Sequence, residues 1–329
     1  MIARRRSLAA LIVAVAFALP GLGFAQSYPS RMITVVVPFP AGGASDVVAR
    51  VVVDAMSKQL GQTMVVENVG GAGGTLGSAR VASAEPTGYT LLAGAMGSHV
   101  AAPVLMPNVR YDSKRDFVPI GLTANAPAVI VARKDVPANN LKEFIAYLKD
   151  NGDKVKQAHG GIGASSHMAC LLFNAATGAK PGSIPYRGTG PAMNDLIAGH
   201  VDFLCEQAVS VAEQVRAGAV KALSVSSTER IEALPDVPTA KEQGVDYQMS
   251  IWAGLFAPKG TPKDVVQRLA VALDKALDDP IVVKRLADLG GTVPEKSERS
   301  PEQFEKLVNS EIVRWKPILE AEAPRSSGN

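Results

Sequence analysis

Ile33–Arg50 reads ITVVVPFPAGGASDVVAR, and these eighteen residues hold a strand, a glycine turn and the start of a helix. Ile33–Val37 is an apolar, β-branched run, the pattern of a strand buried on both faces. Pro38 and Pro40 cannot continue a ladder, so the strand stops there. Ala41-Gly42-Gly43-Ala44 carries almost no side chain, which lets the backbone come close to a ligand. Ser45 or Asp46 is suited to N-cap the next helix. Val47, Val48, Val51, Val52, Ala55, Met56 and Leu60 recur at helical spacing, and Gly61 ends the helix. Strand, glycine loop and helix N-terminus together make an anion site, because unpaired N–H groups and the positive dipole end face the loop.

Further along, the same pattern returns in weaker form. Gln157–Gly163 is a strand entering glycines, and Ala164-Ser165-Ser166-His167 opens a helix through Thr177. Between and after these, strands alternate with helices: Met64–Glu67, Tyr89–Ala93, Ser183–Tyr186, Val201–Cys205 and Val220–Ser226 read as strands. Helices are expected at Leu141–Leu148, Pro191–Ala198, Ser210–Ala217, Val265–Leu277, Ile281–Leu289 and Pro301–Leu319. Such alternation predicts two α/β units with largely parallel sheets. Two long extended stretches stand out, Pro119–Arg133, interrupted at Asn125-Ala126-Pro127, and Gln248–Ala257. They are expected to be the crossings between lobes, with a ligand between the lobes at the carboxyl ends of the strands.

The chain opens on an export signal. Arg4-Arg5-Arg6 is a basic n-region, and Leu8–Leu19 is an apolar run of twelve residues, too short to span a bilayer. Gly23-Phe24-Ala25 is a small-x-small cleavage site, so the mature chain is expected to start at Gln26, in the periplasm; a retained membrane anchor is the other reading. The formal charge of +3 equals the arginines lost with residues 1–25. A neutral mature protein has no electrostatic case for nucleic acid. About 300 mature residues exceed what one core usually serves, which again points to two lobes. The cysteines Cys170 and Cys205 are open to two readings, a disulfide permitted by export or two small buried core residues.

Enzymatic signatures are weak. Gly71-Ala72-Gly73-Gly74-Thr75-Leu76-Gly77 follows a strand and opens a helix, but its G-x-G-x-x-x-G spacing departs from the dinucleotide fingerprint. Gly163-Ala164-Ser165-Ser166-His167 lacks the second glycine of a nucleophile elbow. A His two residues after a Ser on one helix is badly placed to serve as its base, since neighbouring turns present i+3 and i+4. The four histidines, His99, His159, His167 and His200, have no metal-ligand spacing. No metal or cofactor is expected. What remains is anion binding at two facing loops, where Ser45, Ser165 and Ser166 add hydroxyl donors to free backbone N–H groups.

Here a resemblance becomes specific. Val37-Pro38-Phe39-Pro40-Ala41-Gly42-Gly43 with Ser45-Asp46 resembles the first ligand loop of the periplasmic solute-binding proteins of tripartite tricarboxylate transporters, the Bug-type family. Glu67-Asn68, Gly71–Gly74 and Pro86-Thr87-Gly88-Tyr89-Thr90 resemble that family's next turns, and Gly161–His167 its second ligand loop. Pro185-Tyr186-Arg187-Gly188, Gly199-His200-Val201-Asp202 and Ala257–Pro262 continue the match in order across the mature chain. The resemblance implies an α/β, type II periplasmic-binding-protein fold: two hinged lobes joined by two crossing segments. Lobe 1 is then 26–126 with 249–329, and lobe 2 is 127–248. It also implies that each glycine loop donates hydrogen bonds to a ligand carboxylate, with ordered waters bridging the rest. By that carry-over the ligand residues are Phe39, Pro40, Ala41, Gly42, Gly43, Ala44, Ser45 and Asp46 in the first loop, and Gly163, Ala164, Ser165, Ser166 and His167 in the second. Ser98 and His99 are expected to face the cleft, and Tyr186 and Gly188 to line the second lobe. Ala44 and Ala164 stand where relatives can carry other small or hydroxylated residues.

Two acidic residues need an account. Asp46 would repel a bound carboxylate, so it is expected to turn back and accept from helix N–H groups. Glu206, at the cleft end of its strand, disfavours a second carboxylate and favours an ammonium group if it points inward; outward or salt-bridged is the other orientation. The reading is a monomeric, non-enzymatic binding protein. It captures a small carboxylate — a di- or tricarboxylate, keto acid or acidic amino acid — and presents it to the integral membrane components of a secondary transporter. The rivals are an enzyme acting on such an acid, and a ligand sensor for signalling.

Overall fold

The structure, a computed structural model, describes residues 28–322, so the expected leader and its cleavage point after Ala25 lie outside the described residues. Its strands are β1 Ile33–Val37, β2 Met64–Asn68, β3 Thr90–Ala95, β4 Phe117–Ala132, β5 Lys156–His159, β6 Gly182–Pro185, β7 Phe203–Gln207, β8 Lys221–Val225 and β9 Ser250–Pro258. Its α-helices are α1 Ala44–Leu60, α2 Thr75–Ala82, α3 Ala102–Leu105, α4 Leu141–Asn151, α5 Ser165–Thr177, α6 Thr189–Ile197, α7 Ala208–Arg216, α8 Lys263–Leu277, α9 Pro280–Asp288 and α10 Pro301–Glu322. The strands follow the order β2-β1-β3-β9-β4-β7-β5-β6, with β8 also on β4.

Two parallel groups flank a shared centre. β1 lies parallel between β2 and β3, and β5 lies parallel between β6 and β7. β4 and β9 run antiparallel to each other and to their neighbours, so the sheet is mixed where largely parallel sheets were expected. β4 pairs with β9 from Phe117 to Pro127, then with β7 and β8 from Ala128 to Ala132. One strand therefore passes from one group to the other. The expected break at Asn125-Ala126-Pro127 does not occur. Proline is tolerated where the ladder changes partner, since the N–H it lacks is not needed there. The next N–H, that of Ala128, is taken by Ser226 Oγ at 2.8 Å.

Local chemistry sets the element ends. Ile33 and Val35–Val37 are fully buried, as a β-branched run packed on both faces requires. α1 starts two or three residues earlier than the Ser45 or Asp46 cap implied: Gly43 is the N-cap, with no side-chain cap. Gly61 closes α1 in the left-handed conformation, φ +66°, and Gly178 closes α5 likewise at φ +69°. A π-helical turn at Gly97–Ala101, leading into α3, was not foreseen. Cys170 on α5 and Cys205 on β7 are both buried free thiols, not joined in a disulfide.

Candidate functional site

The first loop, residues 38–43, hangs from the end of β1. Asp46, in the first turn of α1, is buried and turns back on this loop. Its Oδ2 accepts from the Gly42 N–H at 2.9 Å, and its Oδ1 accepts from Asn68 Nδ2 at 2.9 Å and Arg50 Nε at 3.0 Å. Burial pushes the carboxyl up, but hydrogen bonds from Arg50, Gly42 and Asn68 together outweigh it and hold Asp46 below the usual carboxylate range. Its partner is thus a loop N–H, in place of the helix N–H groups expected. The Gly42 N–H is consumed, leaving those of Ala44 and Ser45 at the start of α1 without an intrahelical acceptor.

The second loop, residues 160–164, follows β5. Here too most loop donors are already spent. The Gly160 N–H goes to Ser166 Oγ at 2.9 Å, Gly161 to His159 Nδ1 at 3.2 Å, and Gly163 to His167 Nδ1 at 3.4 Å. Ala164 N–H bonds to Gly161 O at 3.0 Å. The His159 and His167 rings stack at 4.2 Å between centroids, so two neutral imidazoles hold the loop in shape. The first N–H groups of α5, on Ser165 and Ser166, are left for a ligand.

Both loops meet at a small pocket of about 30 Å³. Phe39, Pro40, Gly43, Ala44 and Ser45 line one side, and Gly160, Ala164, Ser165, Ser166, Gly188, Thr189, Glu206 and Gln207 the other. Four helices begin here: Ala44 opens α1, Ser165 opens α5, Thr189 opens α6, and Gln207 is the N-cap of α7. Their dipoles sum to a positive potential without a formal cation. No lysine, arginine or histidine lines the pocket. The loops touch across the cleft. Gly97 N–H donates to Ser165 Oγ at 3.0 Å, and a Cβ on Gly188 would sit 2.9 Å from Pro40 Cγ. Outside the pocket lies a broader groove of about 750 Å³, walled by Gly70–Gly74, Gly160–Ile162 and Pro185–Gly188.

The predicted site residues sort by this geometry. Phe39, Pro40, Gly43, Ala44, Ser45, Ala164, Ser165, Ser166, Gly188 and Glu206 line the pocket. Ala41, Gly42, Asp46, Gly163 and His167 shape the loops without lining it. Tyr186 faces the outer groove and donates its hydroxyl to Asp195 at 2.5 Å. Ser98 and His99 do not reach the cleft. The π-helical turn swings them into the core, where Ser98 Oγ bonds Ala95 O at 3.1 Å and His99 stacks on Phe256 at 4.0 Å. Gly160, Thr189 and Gln207 were missed. The hydroxyl of Thr189 directly after Gly188 was the available signal.

Glu206 points inward. It is 2% exposed; its Oε2 accepts from Thr189 Oγ1 at 2.7 Å and its Oε1 from the Gln207 N–H at 2.9 Å. Burial pushes this carboxyl above the ordinary range against those hydrogen bonds. The serines are not set up as nucleophiles. Ser165 and Ser166 accept from backbone N–H groups, and His167 Nδ1 is occupied by Gly163. Among the described residues no cluster of His, Cys, Asp and Glu is placed to hold a metal.

Three buried histidines make the fold sensitive to acid. Burial lowers His99 and His159 to about 3 and His167 to about 4. The unfolded chain therefore binds more protons between pH ~6.5 and these values, and stability falls as pH falls through that window. Glu206, raised by burial, works in the opposite direction over its own window above the ordinary glutamate range. Thermal melts of the unliganded protein should show the melting temperature dropping steadily from pH 7 to pH 4. A flat profile would show that the histidines are not buried neutral.

Comparison with known proteins places this geometry. The sequence profile described as tripartite tricarboxylate transporter family receptor matches residues 48–323. MatC (Rpa3494) from Rhodopseudomonas palustris, solved with bound malate, is 44% identical, with a TM-score of 0.85 over 89% of this chain and 100% of that one. The periplasmic binding protein BugD is 42% identical, with a TM-score of 0.84 over 89% of this chain and 98% of its own. Rpa4515 of R. palustris, solved with adipate, is 28% identical with a TM-score of 0.84, covering 88% of this chain and 97% of its own.

Proposed function

The chain belongs to the tripartite tricarboxylate transporter receptor family, whose members are periplasmic solute-binding proteins and not enzymes, and from that premise we propose that it captures a small carboxylate between its lobes and delivers it to the integral membrane components of a tripartite secondary transporter. One observation carries the reading. Four helix N-termini and several hydroxyls converge on one pocket that holds no cation and no nucleophile–base pair. A carboxylate buried there exchanges water for preorganised N–H donors. The malate and adipate bound by two structural relatives support the same class of ligand.

The two lobes of the proposal are 26–126 with 249–329, and 127–248; the partner change of β4 at Pro127–Ala128 supports the first boundary. Hinges are usually a few residues at element ends, so closure swings the lobes about the segments near Asn125 and Ser250. The protein works as a monomer in the periplasm, released by cleavage after Ala25. Among the described residues no helix is long and apolar enough to cross a membrane.

A thermal-shift panel tests the ligand class. A ligand bound by the folded state alone adds RT ln(1 + [L]/Kd), ~2.7 kcal/mol at a hundredfold excess over Kd. Dicarboxylates, keto acids or acidic amino acids should raise the melting temperature, and sugars and cations should leave it unchanged. Hits confined to sugars would refute the proposal.

A further inference from the structure

Resting on the carboxylate reading above, we infer that Glu206 is the specificity-determining residue of the pocket: it selects acids that carry a proton donor, an ammonium or hydroxyl group, within one or two bonds of the clamped carboxylate, and it rejects the unsubstituted parent acid. The pocket has four helix N-termini, and Glu206 is bonded to a residue at two of them. Its carboxyl takes the Thr189 hydroxyl at the start of α6 and the Gln207 N–H at the start of α7. The N–H groups of α1 and α5 are left for the ligand. A single carboxylate is therefore met by Ala44, Ser45, Ser165 and Ser166, and the rest of the ligand faces an acidic wall.

That wall is surrounded by neutral donors only. Glu206 takes hydrogen bonds from Thr189 Oγ1 and the Gln207 N–H, with the Ser166 and Ser210 hydroxyls also favouring its charged form. No lysine, arginine or histidine in the pocket balances its charge. A donor brought by the ligand, an ammonium above all, supplies the counter-charge that these neutral groups do not. The pocket's small volume, about 30 Å³, keeps that donor near the carboxylate. Ser166 lies between them, in the first turn of α5 and beside Glu206. A second carboxylate pressed on Glu206 would set like charges together in a dry site, which disfavours an unsubstituted short diacid. The elevated proton affinity that burial imposes on Glu206 is the same desolvation seen from its side.

Calorimetry with matched triads tests this: amino acid, hydroxy acid and unsubstituted parent on one carbon skeleton, such as aspartate, malate and succinate, at three to six carbons. The wild type should prefer a donor-bearing member over its parent by at least about tenfold. Glu206→Gln keeps the shape and removes the charge. It should lose about tenfold or more for the donor-bearing acid and hold or gain for the parent, so the ratio collapses toward one. If Glu206→Gln does not fold by circular dichroism, Glu206→Ala, which removes the buried carboxyl altogether, serves in its place. The readout is the ratio, which a purely structural role would leave alone. An unchanged ratio in the variant, or a wild type that binds parent and donor-bearing acids alike, overturns the inference and leaves the carboxylate reading standing. Failure of every acid in every triad brings down both.

Discussion

Gly97→Val is expected to weaken ligand binding by at least about a hundredfold, ~2.7 kcal/mol, while the folded state survives. A Cβ at Gly97 would lie 2.7 Å from Ser165 N and 3.0 Å from Ser165 Oγ. Both atoms belong to the opposite side of the cleft, and one of them is backbone, so no rotamer change relieves the contact. With the two hinged lobes proposed above, the molecule should escape by keeping them apart. The Gly97 N–H to Ser165 Oγ bond is then lost, and a ligand carboxylate is met by donors from one lobe only. Hydrogen bonds to a charged group contribute roughly 1.5–3 kcal/mol each, so losing one side of the clamp is costly. Calorimetry should show the loss and circular dichroism an unchanged fold. Small-angle scattering should show the wild type contracting with ligand and the variant keeping its open radius. Wild-type affinity in folded Gly97→Val would mean that binding does not need closure.

Gly43→Val acts on the pocket itself. Gly43 has φ −81° and ψ 167°, an extended conformation open to any residue, and the nearest atom to an added Cβ is Pro40 O at 3.6 Å. The positive φ in this loop belongs to Gly42 at +81°, so backbone strain is not the objection at Gly43. The objection is space. The pocket is about 30 Å³, and a single water needs ~10–15 Å³ measured the same way. Three added carbons take the volume in which a carboxylate would sit against Ala44 and Ser45. Binding should fall below calorimetric detection, with an unliganded melting temperature within a few degrees of wild type. Gly43→Ala should lie between. Full-affinity binding by folded Gly43→Val would place the carboxylate elsewhere and end the two-loop clamp.

Much of this site is legible because it is local. A β-branched run, two prolines and a glycine turn determine where β1 ends and put the start of α1 within two or three residues, whatever the rest of the chain does. The same holds for Gly160–Ser166 before α5. These signals placed Ser45, Ser165 and Ser166 at helix N-termini. They did not say which N–H groups were still free. Asp46 and the two stacked histidines claim the loop donors at Gly42, Gly161 and Gly163, moving the available ones to the helix starts.

The order of strands, glycine loops and helices was thus determined by the sequence alone, through periods of two and 3.6 residues and the stereochemistry of glycine and proline. Tertiary structure decided the rest. Only the strand order places the starts of α6 and α7 beside those of α1 and α5, which brings in Thr189 and Gln207. Only packing turns Ser98 and His99 into the core through a π-helical turn, and Glu206 into the cleft. Only tertiary packing sets Gly97 against Ser165, residues 68 apart in the chain. Local pattern specifies how each segment folds, but which segment ends meet depends on long-range strand pairing, which has no signature within a short window.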